Sequence, residues 1–164
     1  CSWSLLPSPL LPVEEGNQFR APSPMPDPCI AVHSLDHARA ALDAAARAGV
    51  GITLLSAPGA AAYLGPGWFV QMLAQLGDAE RASLAGAYLD CGPRPGDVLA
   101  AFRAGVPGVI FTGRGDVADK LRALAEAHGV IFRTDRPAAL DLLDTRDPQG
   151  AVAAYLNGSP NRGR

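Results

Sequence analysis

The chain has 164 residues, 48% of them apolar, enough for one compact domain with a core covered on two faces. Fourteen basic residues against sixteen acidic ones give a net charge of −2, so no field gathers polyanions and nucleic acid is not an expected partner. Pro or Gly interrupts every apolar run before the roughly 18 residues that a bilayer span requires, which excludes a membrane-spanning helix.

Residues 1–28 contain seven prolines and read as an extended arm, because proline is unsuited to helix interiors and central strands. Leu5, Leu6, Leu10, Leu11 and Val13 make the arm too apolar for a free linker, so part of it is expected to lie on the domain or on a second subunit. A mobile leader is the alternative. The start lacks the basic residues and unbroken apolar core of a secretory signal, although Cys1 followed by Ser2 also fits the lipid-bearing end of a processed bacterial lipoprotein.

From Cys29 onward, short apolar runs alternate with Ala/Leu-rich segments at helical spacing, the signature of βαβ units within a single domain over 29–156. Strands are expected at 29–33, 51–55, 87–90, 109–112 and 130–133. The first helix is capped by Ser34 and stopped by Gly49. A short Ala-rich piece follows the second strand, Gly65-Pro66-Gly67 breaks the chain, and a stronger helix begins near Trp68. Further helices are expected after Pro95, from Asp116 to Gly129, and from Pro137. Residues 157–164 read as a disordered tail. Five such units make a parallel α/β sheet, either open and doubly wound or half of a (β/α)₈ barrel completed by a second chain. The open sheet is favoured, because a half barrel leaves two long edges uncovered.

Ligands of such sheets bind at the C-terminal ends of the strands, and the polar residues concentrate there. His33, Asp90 and Cys91 form the candidate catalytic set, with the thiol as nucleophile and His33 as its base; Asp90 as a turn cap and Cys91 as a small buried side chain is the structural alternative. Ser56 and Gly59 after strand two, Thr112 and Gly113 after strand four, and Arg133 and Arg136 after strand five are candidates for holding an anion. His33, Asp36 and His37 could converge on a metal, but Ser34 as cap and Asp36 at the positive helix end explain the same string. The three cysteines form no Cys-x-x-Cys pattern, and neither nucleotide-loop fingerprint is present. No metal or cofactor is therefore expected, and a reducing cytoplasm fits best.

Asp90 closing strand three, Thr112 closing strand four and Arg136-Pro137 after strand five resemble response-regulator receiver domains in outline over 29–143. The resemblance implies a flavodoxin-like fold with strand order 2-1-3-4-5, which would bring His33, Asp90 and Cys91 to one crevice. His33-Ser34 replaces the acidic pair that holds magnesium in that family, and Arg136 stands in place of Lys, so the phospho-aspartate chemistry does not carry over. The residues favour a module that binds a small anionic metabolite or a partner protein. Two alternatives remain: a small lyase or hydrolase using Cys91 or Asp90 with His33, or a structural homo-oligomer. A homodimer is expected through the helix of 68–76, where Trp68 and Met72 form a row beside the Phe69, Leu73 and Leu76 stripe, together with the arm.

Overall fold

A computed structural model describes residues 27–158; most of the Pro-rich arm, and residues 159–164 of the expected tail, lie outside the described residues. The elements in chain order are β1 (Cys29–Ala31), α1 (Leu35–Ala48), β2 (Ile52–Leu55), α2 (Ala60–Tyr63), α3 (Pro66–Ala74), α4 (Asp78–Arg81) and β3 (Leu84–Asp90). They continue with α5 (Pro95–Ala104), β4 (Gly108–Ile110), α6 (Gly115–His128), β5 (Ile131–Arg133), β6 (Leu140–Asp141) and α7 (Pro148–Gly158). Ser34 caps α1 by accepting the His37 amide at 3.1 Å, and Gly49 ends it in the left-handed region at φ 68°. The helix expected from Trp68 begins two residues earlier, because Pro66 supplies a helical φ at a position where its missing N–H is no loss.

All six strands pair in parallel, giving an α/β fold with strand order β5-β4-β3-β2-β1-β6. The expected order 2-1-3-4-5 is corrected: β1 lies between β2 and β6, not beside β3. Consecutive strands from β1 to β5 each lie beside their predecessor, as in the wall of a (β/α)₈ barrel, and the order reverses only where β6 returns beside β1. The side chains account for this. Ile30, Val32, Ile52, Leu54, Ala87, Leu89, Val109 and Phe111 share one large core with the buried residues of α1, α3, α5, α6 and α7. The alternate strand positions carry Thr53, Gly86, Tyr88, Asp90, Gly108 and Arg133 among a smaller set of apolar residues. A small second cluster of Cys29, Leu55 and Ile110, flanked by Tyr88 and Ala139, lies on this face.

The helix expected from Pro137 is also corrected. Residues 134–139 are irregular and bring Ala139 onto the second cluster before entering β6. Arg136 is tied by its side chain to β3 and to the end of β2, and Leu140 and Leu142 alternate with Asp141 as a strand requires. The final helix starts instead at Pro148 and includes Asn157 and Gly158, which were expected in the tail.

Phe69, Leu73 and Leu76 are buried as expected, but Met72 is also buried, at 3% exposure, and Trp68 is half-buried against the same core. Because α3 packs on α5 as well as on the sheet, it needs two apolar rows, and Met72 is withdrawn from the row expected to meet a second copy while Trp68 keeps partial exposure. Among the described residues, no helix is long and apolar enough to cross a membrane.

Candidate functional site

At the C-terminal strand ends the second face gathers a set of polar side chains. Asp90 alternates with Leu89 and Cys91, both of which point into the helix-side core, so its carboxylate projects onto the opposite face at 3% exposure. Its Oδ1 accepts the amides of Gly59 at 3.1 Å and Gly92 at 2.8 Å, while Oδ2 accepts Arg136 Nη1 at 2.6 Å. Arg136 Nη2 donates to the Ser56 carbonyl at 2.9 Å, and Ser56 Oγ accepts the Asp90 amide at 2.9 Å while donating to the Ala57 carbonyl at 3.1 Å. Three of the expected ligand-binding residues, Ser56, Gly59 and Arg136, are thus committed to Asp90 and its neighbours.

Cys91 does not join them. It lies on the helix side of the sheet at 1% exposure, and burial, with the nearby Asp97 and Asp90 charges adding to it, pushes its thiol up to about 12. Asp90 and Cys91 are adjacent in a strand and therefore face opposite ways, so the thiol is not within a site shared with His33. Cys29, on the second face, is also raised, first by burial; Arg133 and Arg136 lie within electrostatic reach and pull the other way.

His33 stands on the second face beyond β1 with its side chain 16% exposed. Its Nε2 lies 2.6 Å from Oδ1 of Asp141 on β6, and since a carboxylate only accepts, Nε2 carries the proton. Asp141 also accepts the Leu143 amide at 2.9 Å. Burial pulls the Asp141 carboxyl upward, but the Leu143 amide and His33 outweigh it and hold the group below its ordinary value. His37 accepts the His33 backbone amide on Nδ1 at 3.3 Å, and desolvation, followed by the proximity of His33, lowers its pKa. That role keeps His37 out of a metal set with His33 and Asp36, and among the described residues no group of three His, Cys, Asp or Glu side chains could hold a metal.

Arg133 ends β5 on the same face, its guanidinium 5.9 Å from the centre of the Tyr88 ring. Nη2 donates to Asp135 at 2.9 Å; Nε is buried and has no hydrogen-bond partner among the described residues. The hydrogen bond to Asp135, opposed by desolvation and aided by the charge of Asp135 and by the charge and hydroxyl of Tyr88, raises its pKa further. Thr112 is exposed and its amide is taken by the Gly92 carbonyl at 3.0 Å. Gly113 is required for room, since a Cβ there would strike the Phe111 ring. An apolar groove of about 520 Å³, lined by Leu73, Phe102, Val106 and Ile131, lies at the other end of the strands, away from these residues.

The sequence reading missed Asp141 and Tyr88. The signal for Asp141 was the Leu140-Asp141-Leu142 alternation, which is strand-like; Tyr88 was placed in a strand without being assigned a face.

No protein-family model and no curated protein sequence matches the chain. Its fold is similar to a crystal structure of a protein provisionally called a fructose-1,6-biphosphate aldolase from Coccidioides immitis, with a TM-score of 0.53 and 19% identity. The match covers 65% of this chain and spans 39% of that protein's length. At that identity the likeness concerns the fold alone.

Proposed function

We propose that this domain binds a small anionic metabolite on the second face of its sheet, at the C-terminal strand ends, with Arg133 as the anchoring cation. The observation that carries this reading is the buried Arg133 Nε, a donor without a partner on a guanidinium held over Tyr88. A buried donor left unpaired costs roughly 1–3 kcal/mol, and an oxyanion that drew the partly exposed Arg133 side chain outward to pair its Nε edge would remove that cost. Arg136 serves the scaffold in this reading, because Asp90 and the Ser56 carbonyl already occupy it. The nucleophilic-enzyme alternative loses its thiol with the burial of Cys91, and the homodimer alternative loses Met72 from the row on which it drew.

The test is thermal shift and calorimetry with inorganic phosphate and citrate. A ligand at a hundred times its Kd stabilises the folded state by about 2.7 kcal/mol, which is readily measured. Arg133→Met is expected to abolish that shift while leaving the unliganded melting temperature close to wild type. Equal binding by Arg133→Met would refute the assignment.

A further inference from the structure

We propose that His33 is a general base acting through Nδ1, that Asp141 is its positioning residue, and that the ligand is a small anion with a C–H bond beside a carbonyl. The proposal rests on the anion-binding reading and extends it from holding a ligand to moving its proton.

Three observations carry it. Asp141 takes the His33 Nε2–H at 2.6 Å, which fixes the ring and leaves the lone pair on Nδ1, and Nδ1 has no hydrogen-bond partner among the described residues. This pair stands at the β1/β6 reversal, and the register sets Asp141 beside Ala31, two residues before His33. The anchoring cation belongs to the same face: Arg133 ends β5 there over Tyr88 and lies within electrostatic reach of Cys29 on the His33 strand, while the scaffolding Arg136 lies within reach of Asp141.

The chemistry follows from which groups are free. Cys91 faces the helix-side core, Ser56 Oγ already accepts the Asp90 amide and donates to Ala57, and Cys29, the free thiol on this face, is buried with its pKa raised and donates to the Asp27 carbonyl at 3.4 Å, so neither thiol is poised as a nucleophile. An oriented imidazole on the face that also carries the anchoring cation suffices for reversible proton abstraction from a ligand that spans the two. The C–H proton passes to Nδ1, and its electron pair forms the enolate, whose oxygen takes the negative charge. Asp141 stabilises the imidazolium. Return of the proton to the same carbon restores the ligand, with nothing oxidised or reduced.

The experiment places the full chain in D₂O with dihydroxyacetone phosphate or pyruvate as probe and follows loss of the C–H signal by proton NMR, with probe binding measured by thermal shift on the same samples. Wild type is expected to exchange the probe about a hundredfold faster than buffer. His33→Gln should return exchange to the buffer rate with binding retained. Asp141→Asn keeps an oxygen for Leu143 and His33 but removes the charge, so exchange should fall by roughly tenfold or more at unchanged binding. Binding without exchange, or exchange that persists in His33→Gln, overturns the proposal and leaves anion binding standing. Failure of both probes to bind overturns the proposal together with the reading beneath it.

Discussion

Arg136 and Asp90 meet at 2.6 Å across 46 residues of chain, and this contact joins the irregular connection before β6 to the end of β3. The same carboxylate holds the loop after β2 through Gly59 and the loop after β3 through Gly92. One buried anion therefore fixes three segments around the face where His33 and Arg133 stand. Because Asp90 spends both oxygens on these contacts, it acts as the floor of the site, and the reactive roles fall to its neighbours.

Removing Arg136 should consequently unfold the protein more readily, beyond any effect on a ligand. Breaking a buried pair by deleting one partner costs roughly 3–5 kcal/mol, and the partial exposure of Arg136 argues for the lower end. Arg136→Met is expected to lose about 3 kcal/mol in urea unfolding, and Asp90→Ala at least as much, since two amides are orphaned as well. Midpoints within experimental error of wild type would show that the pair is incidental.

The thiol of Cys91 should be inert in the native protein. With its pKa pushed up to about 12 and 1% of its surface exposed, it offers almost no thiolate at neutral pH. Alkylation mapped by mass spectrometry should label Cys91 far more slowly than a free thiol, and unfolding should restore its reactivity. The sign of the pH effect follows from the raised value: the contribution to stability is fully present below the unfolded pKa near 9.0 and is lost as pH rises toward about 12. Rapid native labelling of Cys91 would refute its placement in the core.

Most of the strands and helices could be read from the chain because β-branched runs, Ser34, Pro95, Gly49 and Gly129 mark local structure that tertiary contacts did not override. Strand order could not be read this way. It depends on which face of each strand takes the helices, and the alternation of Leu89, Asp90 and Cys91 resolves that only once Asp90 is seen bound to Arg136 on the opposite face. The same alternation separates Cys91 from Asp90, which proximity in sequence had joined. Pro137 misled because proline opens helices and also fixes extended chain, and the choice was made by an Arg136 contact 46 residues distant. His33, Asp90, Arg133 and Arg136 could be read as polar strand-end residues because strand ends in parallel sheets collect polar groups. Asp141 was overlooked because β6 has only two residues and carries little pattern.

Ser34 offers a smaller and cleaner test, because its cap hydrogen bond to the His37 amide starts the helix directly behind His33. Ser34→Ala should cost about 1 kcal/mol, and Ser34→Gly only a few tenths. Amide exchange at His37 should quicken in the alanine variant; unchanged stability and exchange would show that the cap adds nothing here.

Gly108 and Gly86 flank Tyr88, and the two predict opposite outcomes for the same substitution. A Cβ on Gly108 would meet Tyr88 Cδ1 at 2.6 Å and the Ala87 carbonyl oxygen at 2.9 Å, closer than a ring and a backbone atom can yield. At Gly86 the nearest atoms are Thr53 Oγ1 and Tyr88 Cε2, both at 3.4 Å, which is ordinary contact. Alanine reduces the freedom of the unfolded chain by about 0.4–1 kcal/mol at either position. That gain stands alone for Gly86→Ala, whose melting temperature should equal or exceed wild type. For Gly108→Ala it is outweighed by overpacking of about 1–3 kcal/mol, so the melting temperature should fall. Combining Gly108→Ala with Tyr88→Ala removes the ring but leaves the Ala87 carbonyl, so the glycine substitution should cost less in that background without becoming neutral. A Gly108→Ala cost unchanged by loss of Tyr88 would mean that the ring does not lie over Gly108, and would remove the platform beneath Arg133.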